Sequence, residues 1–232
     1  MTDGTTGPFA DPAARKDPLP TDASGPPRPI GLAPGLALDA AGQDAAKYAT
    51  TNPVVQRLLA RWMGRLQAVL GPPSGTLVDV GVGEGFALER MFPAGTPVVA
   101  LEYRHDKAKV ASERLRSVQV VRGDAGMLPF PDGSADLVTS IEVLEHLPTF
   151  EPAVAEMARI CGGRLVVSVP WEPWFRLGNL GRGKNVKRLG NDPEHVQAFT
   201  PSRLEAALGE HFSRVRVVRA FPWLIAEASG PR

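Results

Sequence analysis

The stretch "LVDVGVGEGFALERM", residues 77–91, decides how the chain is read. Its first four residues form an apolar run that suits a buried strand. Gly81, Gly83 and Gly85 follow within five residues, and an amphipathic segment follows them. A strand, a glycine turn and a helix in this order bring backbone close to a ligand at the carboxyl edge of a parallel sheet. What must be decided is which ligand.

Working outward, strand-like and helix-like segments alternate. Upstream, "TTNPVVQRLLARWMGRLQAVLGPP" predicts a helix with Asn52 as N-cap and Pro53 in its first position. Val55, Leu58, Leu59, Trp62, Leu66, Val69 and Leu70 make its apolar stripe. Downstream, strands are expected over 97–101, 118–122, 137–140 and 164–169, and helices over 84–91, 106–116 and 152–160. Gly162-Gly163 reads as the stop of the last of these helices. "TPSRLEAAL" opens another helix with Thr200 as cap, and "FSRVRVVRA" and "WLIAEA" read as strands. Such alternation implies an α/β fold, a Rossmann-like three-layer αβα sandwich with helices on both faces of a mostly parallel sheet.

The bulk numbers narrow the function classes. The chain has 232 residues, enough for one α/β domain with a sizeable core. Its 26 Lys and Arg nearly balance 25 Asp and Glu, so nucleic acid is not an expected partner. The lone cysteine, Cys161, excludes an intrachain disulfide and reads as a small buried residue. There is no apolar run long enough for a membrane span and no signal-peptide order at the N-terminus, so a cytoplasmic location is expected. Residues 1–44 are rich in Pro and Gly and are expected to be a disordered tail, with the folded domain over 45–232.

A dinucleotide needs G-x-G-x-x-G, whose third glycine permits close helix–strand packing. Here the spacing is G-x-G-x-G, and Phe86 stands where that third glycine belongs. Glu84 also places a negative charge near the expected pyrophosphate. S-adenosylmethionine has no phosphate. It offers an ammonium, a sulfonium, a ribose diol and an adenine, and therefore needs acceptors. The sequence supplies them at successive strand ends. Asp79 suits the ammonium, directly or through water. Glu102, 21 residues after Gly81, can accept from both ribose hydroxyls. Asp124 can accept from the adenine amino group, and the Ala125 N–H can serve a ring nitrogen.

In "LVDVGVGEG", "VVALEY", "VVRGDAGMLPFPDGSADLVTSIEVLEHL" and "GGRLVVSVP" the chain resembles the successive motifs of class I S-adenosylmethionine-dependent methyltransferases. The likeness is to the methyltransferase type 11 group of small-molecule enzymes, which includes those of ubiquinone and menaquinone synthesis. It covers roughly residues 48–220. The resemblance implies a seven-stranded sheet with one antiparallel strand, and S-adenosylmethionine as cofactor. It extends the cofactor set of Asp79, Gly81, Gly83, Gly85, Glu102, Asp124 and Ala125 to Tyr103 and Ile141.

Methyl transfer from a sulfonium is an in-line displacement, so the protein must chiefly align acceptor, methyl and sulfur. A base assists when the acceptor is a hydroxyl or a protonated amine. His146, in "VLEHL", and His195, in "NDPEHVQAF", are the candidate catalytic residues. Glu142 and Glu145 compete for that role, with simple terminal charges as their plain reading. His105 and His211 read as surface or packing residues. The long loop 170–199 holds Trp171, Trp174, Arg182 and Lys184, and follows the fifth strand as an acceptor-side loop or lid. Its aromatic and basic residues suit an aromatic, glycan-like or anionic small molecule. Tyr48, in "KYATTNP", joins the substrate candidates, with a packed tyrosine as its alternative. No metal-ligand set is expected. An oxygen acceptor leads. A nicotinamide-dependent oxidoreductase, opposed by Phe86 and Glu84, and a non-catalytic methyltransferase-like binding protein are the competing readings.

Overall fold

The computed structural model describes residues 47–181 and 195–232. The expected tail, 1–44, and the substrate candidates Arg182 and Lys184 lie outside the described residues. The first described helix, α1 (Pro53–Leu70), starts where the sequence says. The Asn52 side chain accepts from the Val54 and Val55 N–H groups at 3.0 and 3.3 Å, with Pro53 at the first helical position. Its buried face is Leu59, Trp62, Met63, Leu66, Val69 and Leu70. The Arg164 guanidinium closes its far end by donating to the carbonyls of Val69 and Leu70.

Seven strands follow: β1 (Leu77–Val80), β2 (Val98–Glu102), β3 (Val118–Arg122), β4 (Ala135–Ile141), β5 (Cys161–Pro170), β6 (Phe212–Ala220) and β7 (Trp223–Pro231). Their spatial order is β3-β2-β1-β4-β5-β7-β6. The first five are parallel, and β7 runs antiparallel to both β5 and β6. The helices between them are α2 (Phe86–Met91), α3 (His105–Arg114), α4 (Glu151–Ile160), α5 (Trp174–Gly181) and α6 (Pro201–Gly209). The chain leaves β1 toward β2 and β3, then returns to place β4 on the other side of β1. That reversal opens a crevice at the carboxyl ends of β1 and β4, where α/β sheets bind ligands. The seven-stranded Rossmann-like arrangement agrees with the expectation.

Two local readings change. Gly162 and Gly163 do not end a helix outside the sheet; they lie inside β5. A Cβ on Gly162 would stand 2.5 Å from the Gly133 carbonyl oxygen, and one on Gly163 would stand 2.2 Å from that of Asp136. Close backbone approach, not a turn, requires them. The long segment 170–199 also carries its own helix, α5, and its two ends meet: Trp171 bridges Phe199, and the Glu172 N–H donates to the Phe199 carbonyl at 3.1 Å. No helix among the described residues is long and apolar enough to cross a membrane.

Candidate functional site

The glycine turn begins directly after β1. The N–H groups of Gly81 and Val82 both donate to the Leu101 carbonyl, at 2.7 and 3.0 Å, which ties the turn to β2. Gly81, Gly83 and Gly85 have φ of +84°, +58° and +85°. A Cβ on Gly81 would meet a Val143 methyl at 2.4 Å, so this glycine also lets the turn lie against the end of β4. Phe86, in the position a dinucleotide fold reserves for glycine, is buried. Its ring stacks on Tyr48 with centroids 5.5 Å apart, and the Arg114 guanidinium lies 3.7 Å from its centroid. The third-glycine position is filled by a packed ring.

Asp79, Glu102 and Asp124 end or follow β1, β2 and β3, side by side in the sheet. Asp79 is 3% exposed, and the Thr139 hydroxyl donates to its Oδ1 at 2.5 Å. Burial pushes its carboxyl up to about 7; the Thr139 bond opposes that rise and the nearby Glu102 charge adds to it. Glu102 accepts from the Gly83 N–H at 2.9 Å on one oxygen and from the Arg104 N–H at 2.8 Å on the other. Each oxygen keeps a further lone pair, so the carboxylate is fixed in place and still able to accept from a diol. Asp124 is exposed. One of its oxygens accepts from the Gly126 N–H at 2.8 Å, which turns the chain so that Ala125 is buried beside it. Tyr103 is exposed beside Glu102, and Ile141 is buried at the tip of β4.

Past Ile141, Glu142 has φ +57°, a conformation that ordinary residues rarely take. Its carboxylate receives the Lys47 ammonium on one oxygen and the Trp223 indole N–H at 2.8 Å on the other. The ammonium also lies 4.8 Å from the Trp62 ring centroid and 5.2 Å from that of Trp223. Trp62 and Trp223 stack on each other, and the Trp62 indole donates to the Ser168 hydroxyl at 2.9 Å. Tyr48 is 6% exposed and belongs to this packed wall through Phe86. Lys47 and Trp223 were not among the sequence candidates. Trp223 carries only a strand signal, and no local pattern marks Lys47.

The short 3₁₀ turn Leu144–His146 follows Glu142. It brings His146 to His195, with ring centroids 5.1 Å apart, beside a buried Glu145. The Glu145 carbonyl accepts from the Val196 and Gln197 N–H groups at 2.9 and 3.1 Å, which holds the returning segment on the turn. Phe175 of α5 packs on His195 at 5.3 Å. Trp171, Trp174 and Phe221 form a cluster at the end of β5 with centroids 6.2–6.4 Å apart, and Trp174 and Phe221 are exposed. Cys161 is buried at the start of β5, far in sequence from these groups. Burial pushes its thiol up to about 11, which suits a packed residue and not a nucleophile. His105 starts α3, and His211 lies between α6 and β6.

A doubly wound sheet with an acceptor-rich crevice at its switch point defines a Rossmann-like nucleoside-binding protein, whose carboxylate acceptors match the donors of an adenosyl sulfonium better than a phosphate-bearing coenzyme. A family described as "Methyltransferase domain" matches residues 78–167. A demethylmenaquinone methyltransferase of Thermobifida fusca is 33% identical, over 77% of this chain and 82% of its own length. One of Renibacterium salmoninarum is 37% identical, over 56% of this chain and 57% of its own length. The magnesium protoporphyrin IX methyltransferase of Synechocystis PCC 6803, solved with bound S-adenosylhomocysteine, shares the fold with a TM-score of 0.58 at 18% identity, covering 78% of this chain and 89% of that one. The chain belongs to the S-adenosylmethionine-dependent methyltransferases. It spans only 57% and 59% of the length of two of the curated relatives it matches.

Proposed function

We propose that the chain transfers a methyl group from S-adenosylmethionine to an oxygen of a small, flat acceptor of the phenol or hydroquinone kind. S-adenosylmethionine, when bound, supplies an electrophilic methyl on a sulfonium. Asp79, Glu102, Asp124 and the Ala125 N–H hold the ammonium, ribose and adenine, with Tyr103 and Ile141 flanking them. Gly81, Gly83 and Gly85 let the backbone approach. An imidazole of His146 or His195 takes the hydroxyl proton as the acceptor oxygen forms its bond to the methyl carbon and the carbon–sulfur bond breaks. Residues 45–232 make up the catalytic domain, and the described residues 170–181 and 195–199 lie on its acceptor side.

The observation that carries this reading is the meeting of His146 and His195, which lie 49 residues apart in sequence, at the end of β4. The aromatic cluster of Trp171, Trp174 and Phe221 supports a flat acceptor. So do the relatives named for demethylmenaquinone. The test uses methyl-labelled S-adenosylmethionine and a panel of naphthoquinols, phenols and amines, with the position of the label read by NMR. Label on oxygen, with a turnover loss of about 10²–10⁴-fold in His146→Ala or His195→Ala and unchanged S-adenosylhomocysteine affinity, is the expected result. Label on carbon or nitrogen, or full turnover in both variants, would overturn the oxygen reading.

A further inference from the structure

Glu145, His146 and His195 each offer a ligand atom, and these atoms all lie within 4.8 Å of one another. We propose that the three form a binding site for a divalent transition-metal ion of the zinc, cobalt or nickel kind. The donors come from two distant segments, and their meeting is built into the backbone. The His146 N–H donates to the Val143 carbonyl at 3.0 Å and shapes the turn. The Val196 and Gln197 N–H groups clamp the returning segment to the Glu145 carbonyl. The Gln197 side chain adds a bond to the Pro148 carbonyl at 2.7 Å and itself accepts from Arg203 at 2.7 Å. These bonds hold the backbone directly after His195 against the turn that carries Glu145 and His146.

The donor set selects the metal. Two imidazoles and one carboxylate suit zinc, nickel, cobalt or ferrous iron, and are a poor set for magnesium or calcium, which want oxygen. Ligands around an ion at about 2.0–2.1 Å stand roughly 3.4 Å apart. The present spacing, up to 4.8 Å, needs up to about 1.4 Å of closure by side-chain rotation. Three protein donors leave one position open to water or another small ligand. A coordinated imidazole has no lone pair left for a proton. Metal loading thus opposes methyl transfer by the route proposed above. That consequence rests on the base role of the histidines, whereas the binding itself does not.

The test is equilibrium dialysis of the full chain, free of any histidine tag, against cobalt(II), with the visible cobalt spectrum as a second readout. One equivalent of cobalt per chain is expected, displaced by zinc and not by magnesium. Its affinity should fall at least tenfold in both His146→Asn and His195→Asn. S-adenosylhomocysteine binding by each variant shows that it is folded, and His146 is exposed enough to change without disturbing the core. Sub-stoichiometric cobalt in the unaltered chain, or binding that survives both substitutions, overturns the site. With labelled methyl transfer followed in parallel, cobalt that binds and slows turnover supports the opposition of the two roles. Cobalt that binds while turnover is unchanged leaves the site standing and overturns the opposition.

Discussion

At the scale of single residues, the crevice is a row of carboxylates whose surroundings differ. Asp79 is enclosed, and its burial raises the cost of its charge; Glu102 is pinned by two backbone donors; Asp124 stands in solvent. The raised Asp79 value has a definite sign. The cofactor-free fold holds a proton on Asp79 up to about pH 7, whereas the unfolded chain releases it near 3.8, so stability falls as pH rises through that window. A ligand ammonium favours the ionised form and must displace the proton. Affinity for S-adenosylhomocysteine should therefore climb with pH by up to about tenfold per unit below 7 and level off above it. Calorimetric titration between pH 5 and 8 measures this, at about 20–25 °C. Asp79→Asn should give a flat profile with weaker binding. A variant profile that still climbs would assign the proton to another group.

At the scale of elements, α1 anchors the wall behind the crevice. Trp62, Leu66 and Leu70 are fully enclosed, and Trp62 reaches through its indole to Ser168 on β5. Leu66→Ala removes buried methyl groups from a site with little room to collapse, and should cost about 2–5 kcal/mol in a denaturant titration. A cost under about 0.5 kcal/mol would mean that α1 packs more loosely than described. This helix was legible in advance because its cap, its proline and its stripe are local signals. The paired glycines of β5 were misread for the same reason. Gly162-Gly163 looks like a helix stop locally, while the carbonyls of Gly133 and Asp136 that require it come from the neighbouring strand and its approach.

At the scale of the molecule, the alternation of segments made the mostly parallel, three-layer arrangement legible, whereas the strand order and the reversal after β3 are seen only in the fold. The sequence also placed three carboxylates near strand ends, and the structure has Asp79 one residue before the end of β1, Glu102 at the end of β2 and Asp124 two residues past the end of β3. The contacts past the end of β4 were not legible. Lys47 reaches Glu142 across 95 residues, and His195 reaches His146 across 49, and neither separation leaves a trace in spacing. Long-range packing decides such meetings.

The central claim is that neighbouring strand tips seat an adenosyl sulfonium and not a phosphate-bearing coenzyme. Its most direct measurement is calorimetric titration of the full chain with S-adenosylhomocysteine and with NADH, repeated on Glu102→Ala and Asp124→Ala. The account predicts one S-adenosylhomocysteine per chain, no heat from NADH, and affinity weakened about 10–100-fold in Glu102→Ala and also reduced in Asp124→Ala, as loss of charged hydrogen bonds requires. Saturable NADH binding, or S-adenosylhomocysteine affinity unchanged in both variants, would contradict it.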